Sequence, residues 1–291
     1  MRRDNPYDFA ALEAGEIVDE REITTLPIDP ISIGRDLGIE VIAKPAHIEG
    51  VSGMFLRKGE TYIIVYATHI DNIGFQNFSV AHELGHYFLP GHIDAVLSDR
   101  EVHESRAGFA SGDRYELEAD HFAAGLLMPQ NLFMSAMNRN GHGLVAIEAL
   151  ADLCKTSLTA TAIRYTQWTD EPMAVVLSTG KQINYCFMSD ALTEVEGLDW
   201  IRKRDFLPTK TTTFFFNQDN NRVRRADRTD GTSNLQDWFG GCHRTEITEE
   251  VIGLGQYGKT LTLLTASNLP DKEEIEEEEN LIESWKPKFR R

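Results

Sequence analysis

The chain has 291 residues, 41% hydrophobic and 26% charged, enough to bury a core as one large domain or two ordinary ones. Its net charge of −17 opposes a broad phosphate-binding face and argues against nucleic acid as a direct partner. There is no long apolar run, and no apolar segment follows Met1-Arg2-Arg3. Neither a membrane span nor a secretion signal is therefore expected, and the scattered cysteines Cys154, Cys186 and Cys242 fit a reducing, cytoplasmic location.

From Asp8 to Glu20 the pattern predicts a short helix with Phe9, Leu12 and Ile17 on one side. Asp29-Pro30 opens a second helix that Gly38 closes, and Ile39 to Ala43 is strand-like. Val51 to Ile70 reads as a hairpin with arms Gly53–Arg57 and Thr61–Ala67 around Lys58-Gly59-Glu60. An exposed edge of that hairpin would offer an extended peptide a strand to pair with.

Ser79 to Leu89 carries His82-Glu83-Leu84-Gly85-His86 in an apolar, helix-compatible run that Pro90-Gly91 ends. Helical residues four apart are offset by about 40° and rise about 6 Å, so His82 and His86 share a face. Two imidazoles so placed can hold one divalent cation, and Glu83 can reach a water beside it. That combination suits metal-assisted hydrolysis with Glu83 as general base.

Residues 91 to 114 are polar and read as helical fragments joined by loop, with Gly108 and Gly112 among them. Tyr115 to Met128 predicts a helix ended by Pro129, with another around Asn131 to Asn138. Leu144–Leu153 and Leu158–Trp168 form a helix-turn-helix outline in which Ala151, Leu153, Leu158 and Ile163 face a core. Lys155 and Arg164 are too few for a DNA footprint, so packing is the preferred reading.

The texture changes after Asp170-Glu171-Pro172. Met173–Ser178, Ile183–Met188, Thr211–Phe216 and Lys259–Thr265 are rich in β-branched and aromatic residues and predict a sheet-containing C-terminal domain. Phe214, Phe215, Phe216, Trp200 and Trp238 are expected in its core. Asp199 to Arg228 holds eight basic residues against four acidic ones, read as a solvated face, and Asp271 to Glu283 holds eight acids against one lysine in a charged tail.

A catalytic site of this kind needs a third protein ligand and an open position. His92 lies six residues after His86 but lacks a glycine midway, where Leu89 stands. The other candidates are Glu116 and Glu118. Glu116 is preferred because Asp120, one turn later, can then orient His82 or His86 through its second ring nitrogen. His103, His121, His142 and His243 read as surface or hydrogen-bonded histidines. Tyr62, Tyr66, Tyr115, His92 and His121 are unranked candidates to donate to a developing oxyanion.

His82-Glu83-Leu84-Gly85-His86-Tyr87-Phe88-Leu89, with Glu116, Ala119-Asp120, Phe122-Ala123-Ala124 and Leu126-Leu127-Met128-Pro129, resembles the ImmA/IrrE family of metallopeptidases. The similarity runs from about Asp29 to Trp168 and takes in Gly53-Met54 and Leu158 to Tyr165. It implies a zinc-dependent intracellular endopeptidase that cuts a helix-turn-helix transcriptional repressor and so switches on gene expression under stress. By position His82, His86 and Glu116 would be the ligands and Glu83 the base, with Asp120 behind them. Manganese or iron could replace zinc. The segment Asn72 to Phe78 lacks an arginine common in the family, and no repressor-like segment precedes the matching region, which points to a separate repressor as the target.

The expected fold is α+β. It comprises an N-terminal extension (1–28), a zincin-like metallopeptidase core with a small sheet and an active-site helix (29–140), and a helix-turn-helix-like segment (141–170). A sheet-containing domain with a sensor-like role (171–269) and the charged tail (270–291) follow. The alternative function is a non-catalytic, metal-containing regulator that sequesters a repressor or senses a ligand through the C-terminal domain.

Overall fold

A computed structural model describes residues 5–45, 51–98, 101–105, 112–241, 245–267 and 269. Gly108, Cys242, His243 and the tail from Pro270 lie outside the described residues. The chain divides into two units, Met1–Arg164 and Tyr165–Arg291. That division falls inside a helix, ahead of the change of texture at Asp170 to Pro172. Both units are mixed α and β, and no described helix is long and apolar enough to cross a membrane.

The first unit begins with α1 (Pro6–Glu20), capped by the Asn5 side chain, and α2 (Pro30–Asp36), capped by Asp29, which accepts from Ile31 N and Ser32 N. The buried residues of α1 are Ala10, Ala11, Ala14, Ile17 and Val18, so of the expected side Phe9–Leu12–Ile17, Ile17 is buried and Phe9 packs half-buried against the core. Small residues are needed there because α5 (Arg114–Leu127) approaches closely: a Cβ on Gly125 would stand 2.7 Å from Ala11 O. Residues 6–20, read as part of an extension, therefore belong to the core of this unit.

Strands β1 (Glu40–Lys44), β2 (Gly53–Lys58), β3 (Thr61–Ala67) and β4 (Val102–Ser105) form a sheet in the order β1-β3-β2-β4, antiparallel except for β1 and β3. The hairpin β2–β3 is as expected, but both its outer sides are paired. The edges among the described residues are β1 and β4, which corrects the expectation of an exposed hairpin edge. Strand β4 replaces part of the predicted helical stretch, and among the described residues between α3 and α5 the helical piece is α4 (His92–Val96).

Helix α3 (Ile73–Phe88) carries both histidines of the motif. Asn72 caps it by accepting from Phe75 N. Its Val80, Ala81 and Leu84 bury with Phe55 and Ile64 of the sheet, Ile33 of α2, and Phe122 and Leu126 of α5. Helices α6 (Gln130–Asn140), α7 (Gly143–Cys154) and α8 (Leu158–Trp168) follow. Ala151 is buried as expected, whereas Leu153 is exposed. Arg164 is buried, its Nε and Nη2 donating to Met128 O at 3.1 and 2.9 Å, and burial lowers its pKa to about 10. It ties α8 to the end of α5.

The second unit holds a five-stranded antiparallel sheet in the order β6-β5-β9-β8-β7. Its strands are β5 (Met173–Thr179), β6 (Gln182–Met188), β7 (Arg228–Asn234), β8 (Glu246–Gly253) and β9 (Thr260–Thr265). Short helices α9 (Asp190–Thr193), α10 (Thr212–Phe216), α11 (Asn220–Arg224) and α12 (Leu235–Phe239) and a 3₁₀ turn (Gly255–Tyr257) complete it. The predicted strand Thr211–Phe216 is thus helical. Phe216 and Trp238 are buried as expected, but Trp200 and Phe215 are 68% and 60% exposed, so they are not core. Cys154 and Cys186 are free thiols whose pKa burial pushes up to about 12.

Candidate metal centre

His82, Glu83 and His86 lie on the buried middle and end of α3, and none of the three is exposed to solvent. Across from them, α5 begins at its Asp113 cap and presents Glu116 in its first turn. His82 Nε2 is 3.2 Å from His86 Nε2, and these two nitrogens lie 3.5 and 3.3 Å from the Glu116 carboxylate oxygens. One ligand atom from each residue falls within 4.8 Å of the others, so His82, His86 and Glu116 could hold a metal ion.

The far side of each group is also engaged. His82 Nδ1 donates to Asp120 Oδ1 at 2.8 Å, the contact expected of Asp120. His86 Nδ1 faces His92 Nδ1 at 3.2 Å. His103 Nε2 donates to Glu116 Oε1 at 2.9 Å, and its ring meets His86 edge to face with centroids 4.9 Å apart. His92 and Glu118, weighed as ligands, bond to each other at 3.0 Å behind His86 instead of joining Glu116.

Burial opposes a proton on His82, but Asp120 and Glu116, with Glu83, outweigh it and raise its pKa to about 10. For His86 burial prevails, and its pKa falls to about 3. Burial also opposes charge on Glu116, yet hydrogen bonds from His103, His82 and His86 hold its carboxyl well below the usual range. Two nitrogens and a carboxylate thus converge where a divalent cation would sit. Two imidazoles and a carboxylate are a donor set that suits zinc, and the residues present fit such an ion.

Glu83 is the exception to this network. Among the described residues both its carboxylate oxygens are buried without a hydrogen-bond partner, as is the hydroxyl of nearby Ser105. Burial pushes the Glu83 pKa up to about 7, against the opposing pull of the His82 and His103 charges. Gly53 makes room for it, since a Cβ there would stand 2.3 Å from Glu83 Oε1. A buried, unpartnered carboxylate with a pKa near neutrality is equipped to accept and return a proton.

His103 and Ser105 were not singled out for the site in the sequence. Register explains their place: His103 pairs with Phe55 and Ser105 with Gly53, and these β2 residues face α3. A period of two in Val102-His103-Glu104-Ser105 was the available signal, obscured by a stretch too short and polar to read as a strand. Of the expected oxyanion donors, Tyr62 stacks on Phe55, Tyr115 packs edge-on against His92, and His121 stacks on Tyr7.

Residues 35–166 match the family model described as the IrrE N-terminal-like domain, within the M78 peptidases. Among solved structures, a transcriptional regulator from Mycobacterium tuberculosis is similar in fold, with a TM-score of 0.57 at 15% sequence identity. The likeness covers 88% of this chain and 76% of that one. No curated protein sequence matches the chain.

Proposed function

We propose that the chain, whose residues 35–166 match the IrrE N-terminal-like domain of the M78 peptidases, is a zinc-dependent endopeptidase acting on a protein partner. His82, His86 and Glu116 would hold the ion, and Glu83 would be the general base. The observation that carries this reading is the unpartnered, fully buried Glu83 carboxylate next to a converging His–His–Glu set.

When bound, the ion supplies Lewis acidity, which acidifies water and polarises a peptide carbonyl. Asp120 holds His82 with its Nε2 turned toward the donor set. Glu83 takes the proton of the attacking water and passes it to the leaving amine nitrogen. Its pKa of about 7 suits both transfers, which together are worth about 10²–10⁴-fold in rate. His103 donates to Glu116 Oε1 and so holds that carboxylate toward the two imidazoles. The free edge at β4, among the described residues, is where an extended peptide could pair.

The partner proposed is a helix-turn-helix repressor, cut to release gene expression. This rests on the family resemblance. The test compares wild type, His82→Ala and Glu83→Gln for bound zinc and for fragments of partners co-purified from the host. Glu83→Gln is expected to keep the ion and lose cleavage, and His82→Ala to lose both. Intact partners with zinc-loaded wild type would overturn the peptidase reading in favour of a sequestering regulator.

A further inference from the structure

The two imidazoles of α3 are braced by different chemistry. His82 leans on a carboxylate, Asp120, whereas His86 leans on a third imidazole, His92, through a contact between the two Nδ1 atoms at 3.2 Å. The Pro90-Gly91 turn, with Gly91 at φ 77° in the left-handed region, reverses the chain after α3. His92, the first residue of α4, is thereby carried back beneath His86. His92 is fully buried, and the ring of Tyr115 packs edge-on against it with centroids 5.0 Å apart. Its Nε2 lies 3.0 Å from Glu118 Oε2, and Arg114 Nε donates to the other oxygen of Glu118.

The protons along this line can be ordered from its far end. A carboxylate paired with a guanidinium only accepts, so His92 Nε2 must carry the hydrogen it donates to Glu118. A neutral imidazole protonated at Nε2 has a bare lone pair at Nδ1. His86 Nδ1 must then donate to it, since two bare nitrogens at 3.2 Å would repel. That leaves His86 Nε2 unprotonated, facing His82 and Glu116. The opposite order would place the hydrogen on His86 Nε2 and close that corner to a cation.

We propose that His92, held by Glu118 and Arg114, is a positioning residue that fixes the tautomer and ring plane of His86, so that its Nε2 lone pair is presented to the ion. The inference rests on the metal-binding reading of His82, His86 and Glu116 and extends it to three residues outside the donor set. His92 offers a neutral acceptor where Asp120 offers an anionic one. The His86 corner therefore depends on the direction of the hydrogen bonds more than on charge.

The experiment uses the full chain and zinc. Affinity is measured by competition with a chromophoric chelator, and geometry by the visible bands of the cobalt(II)-substituted protein. His92→Phe keeps a ring but removes both nitrogens. It is expected to weaken zinc binding about 10–100-fold and to alter the cobalt bands. His92→Gln, whose amide can accept from His86 and donate to Glu118, is expected to recover most of that loss. Wild-type affinity and unaltered bands in His92→Phe would overturn the proposal while leaving the metal site standing. Absence of zinc binding by wild type would instead overturn the metal reading, and the proposal with it. A readout that needs no variant is the nitrogen-15 tautomer spectrum of the zinc-loaded wild type. Hydrogens on His86 Nδ1 and His92 Nε2 are expected, and a hydrogen on His92 Nδ1 would overturn the assignment.

Discussion

At the scale of single residues, the site depends on what surrounds Glu83 as much as on Glu83 itself. Its carboxylate occupies space that exists because Gly53 has no side chain, and a Cβ there would meet Oε1 at 2.3 Å. Gly53→Ala must therefore displace the carboxylate while leaving His82, His86 and Glu116 where they are. The expected outcome is an unchanged zinc content with a cleavage rate lower by about 10²-fold, the usual penalty for a misplacement of about 1 Å. Metal analysis beside a cleavage assay checks it, and full activity would remove Gly53 from the machinery. Much of this site was legible in the residues themselves. The spacing of His82 and His86 sets a shared helical face, and the spacing of Glu116 and Asp120 matches a ligand with an orienting acid one turn on. His103, Ser105 and the line from His92 to Arg114 were hidden. They reach the site through strand register and a chain reversal, which are tertiary facts that no local pattern encodes.

At the scale of elements, α1 and α5 approach closely where Gly125 meets the backbone of Ala11. Added volume there cannot be absorbed by a flexible side chain, so the helices would have to separate. Gly125→Ala is expected to destabilise the fold by about 1–3 kcal/mol despite the better helix propensity of alanine. Urea unfolding followed by circular dichroism measures this, and a neutral or stabilising result would show that the two helices can part freely. Helix α2 was readable because its Asp29 cap and closing Gly38 mark both ends. The structure adds caps that the sequence reading did not use, Asn5, Asn72 and Asp113, each accepting from the first turn it precedes. The second unit misled where propensity and context conflict. Thr211 to Phe216 has the composition of a strand, yet Thr211 caps a helical turn, and the buried Glu249 accepts from Thr212 N, Thr213 N and Thr213 Oγ1. Strand β7, Arg228 to Asn234, is an edge strand of polar residues with little apolar alternation to mark it.

At the scale of the whole molecule, charge bears on whether regulation could pass directly through DNA. The α7–α8 pair has the outline of a helix-turn-helix, but its two basic residues do not both face solvent. Arg164 is buried on the Met128 carbonyl, which leaves Lys155 beside Glu148 and Asp152 in a chain of net charge −17. Phosphate binding depends on cations that displace condensed counterions, and each neutralised phosphate adds about 0.9 to the salt slope of log affinity. With one exposed cation on the pair, no slope of several units can arise from it. Fluorescence anisotropy of a labelled duplex, titrated at a series of salt concentrations, is expected to show no saturable binding at micromolar protein and physiological salt. Tight binding with a steep salt slope would mean that a basic surface elsewhere, such as the Arg202 to Arg228 stretch, overrides the acidic balance, and that DNA is a direct partner. Its absence would accord with the proposed action on a protein partner through the His82–His86–Glu116 site.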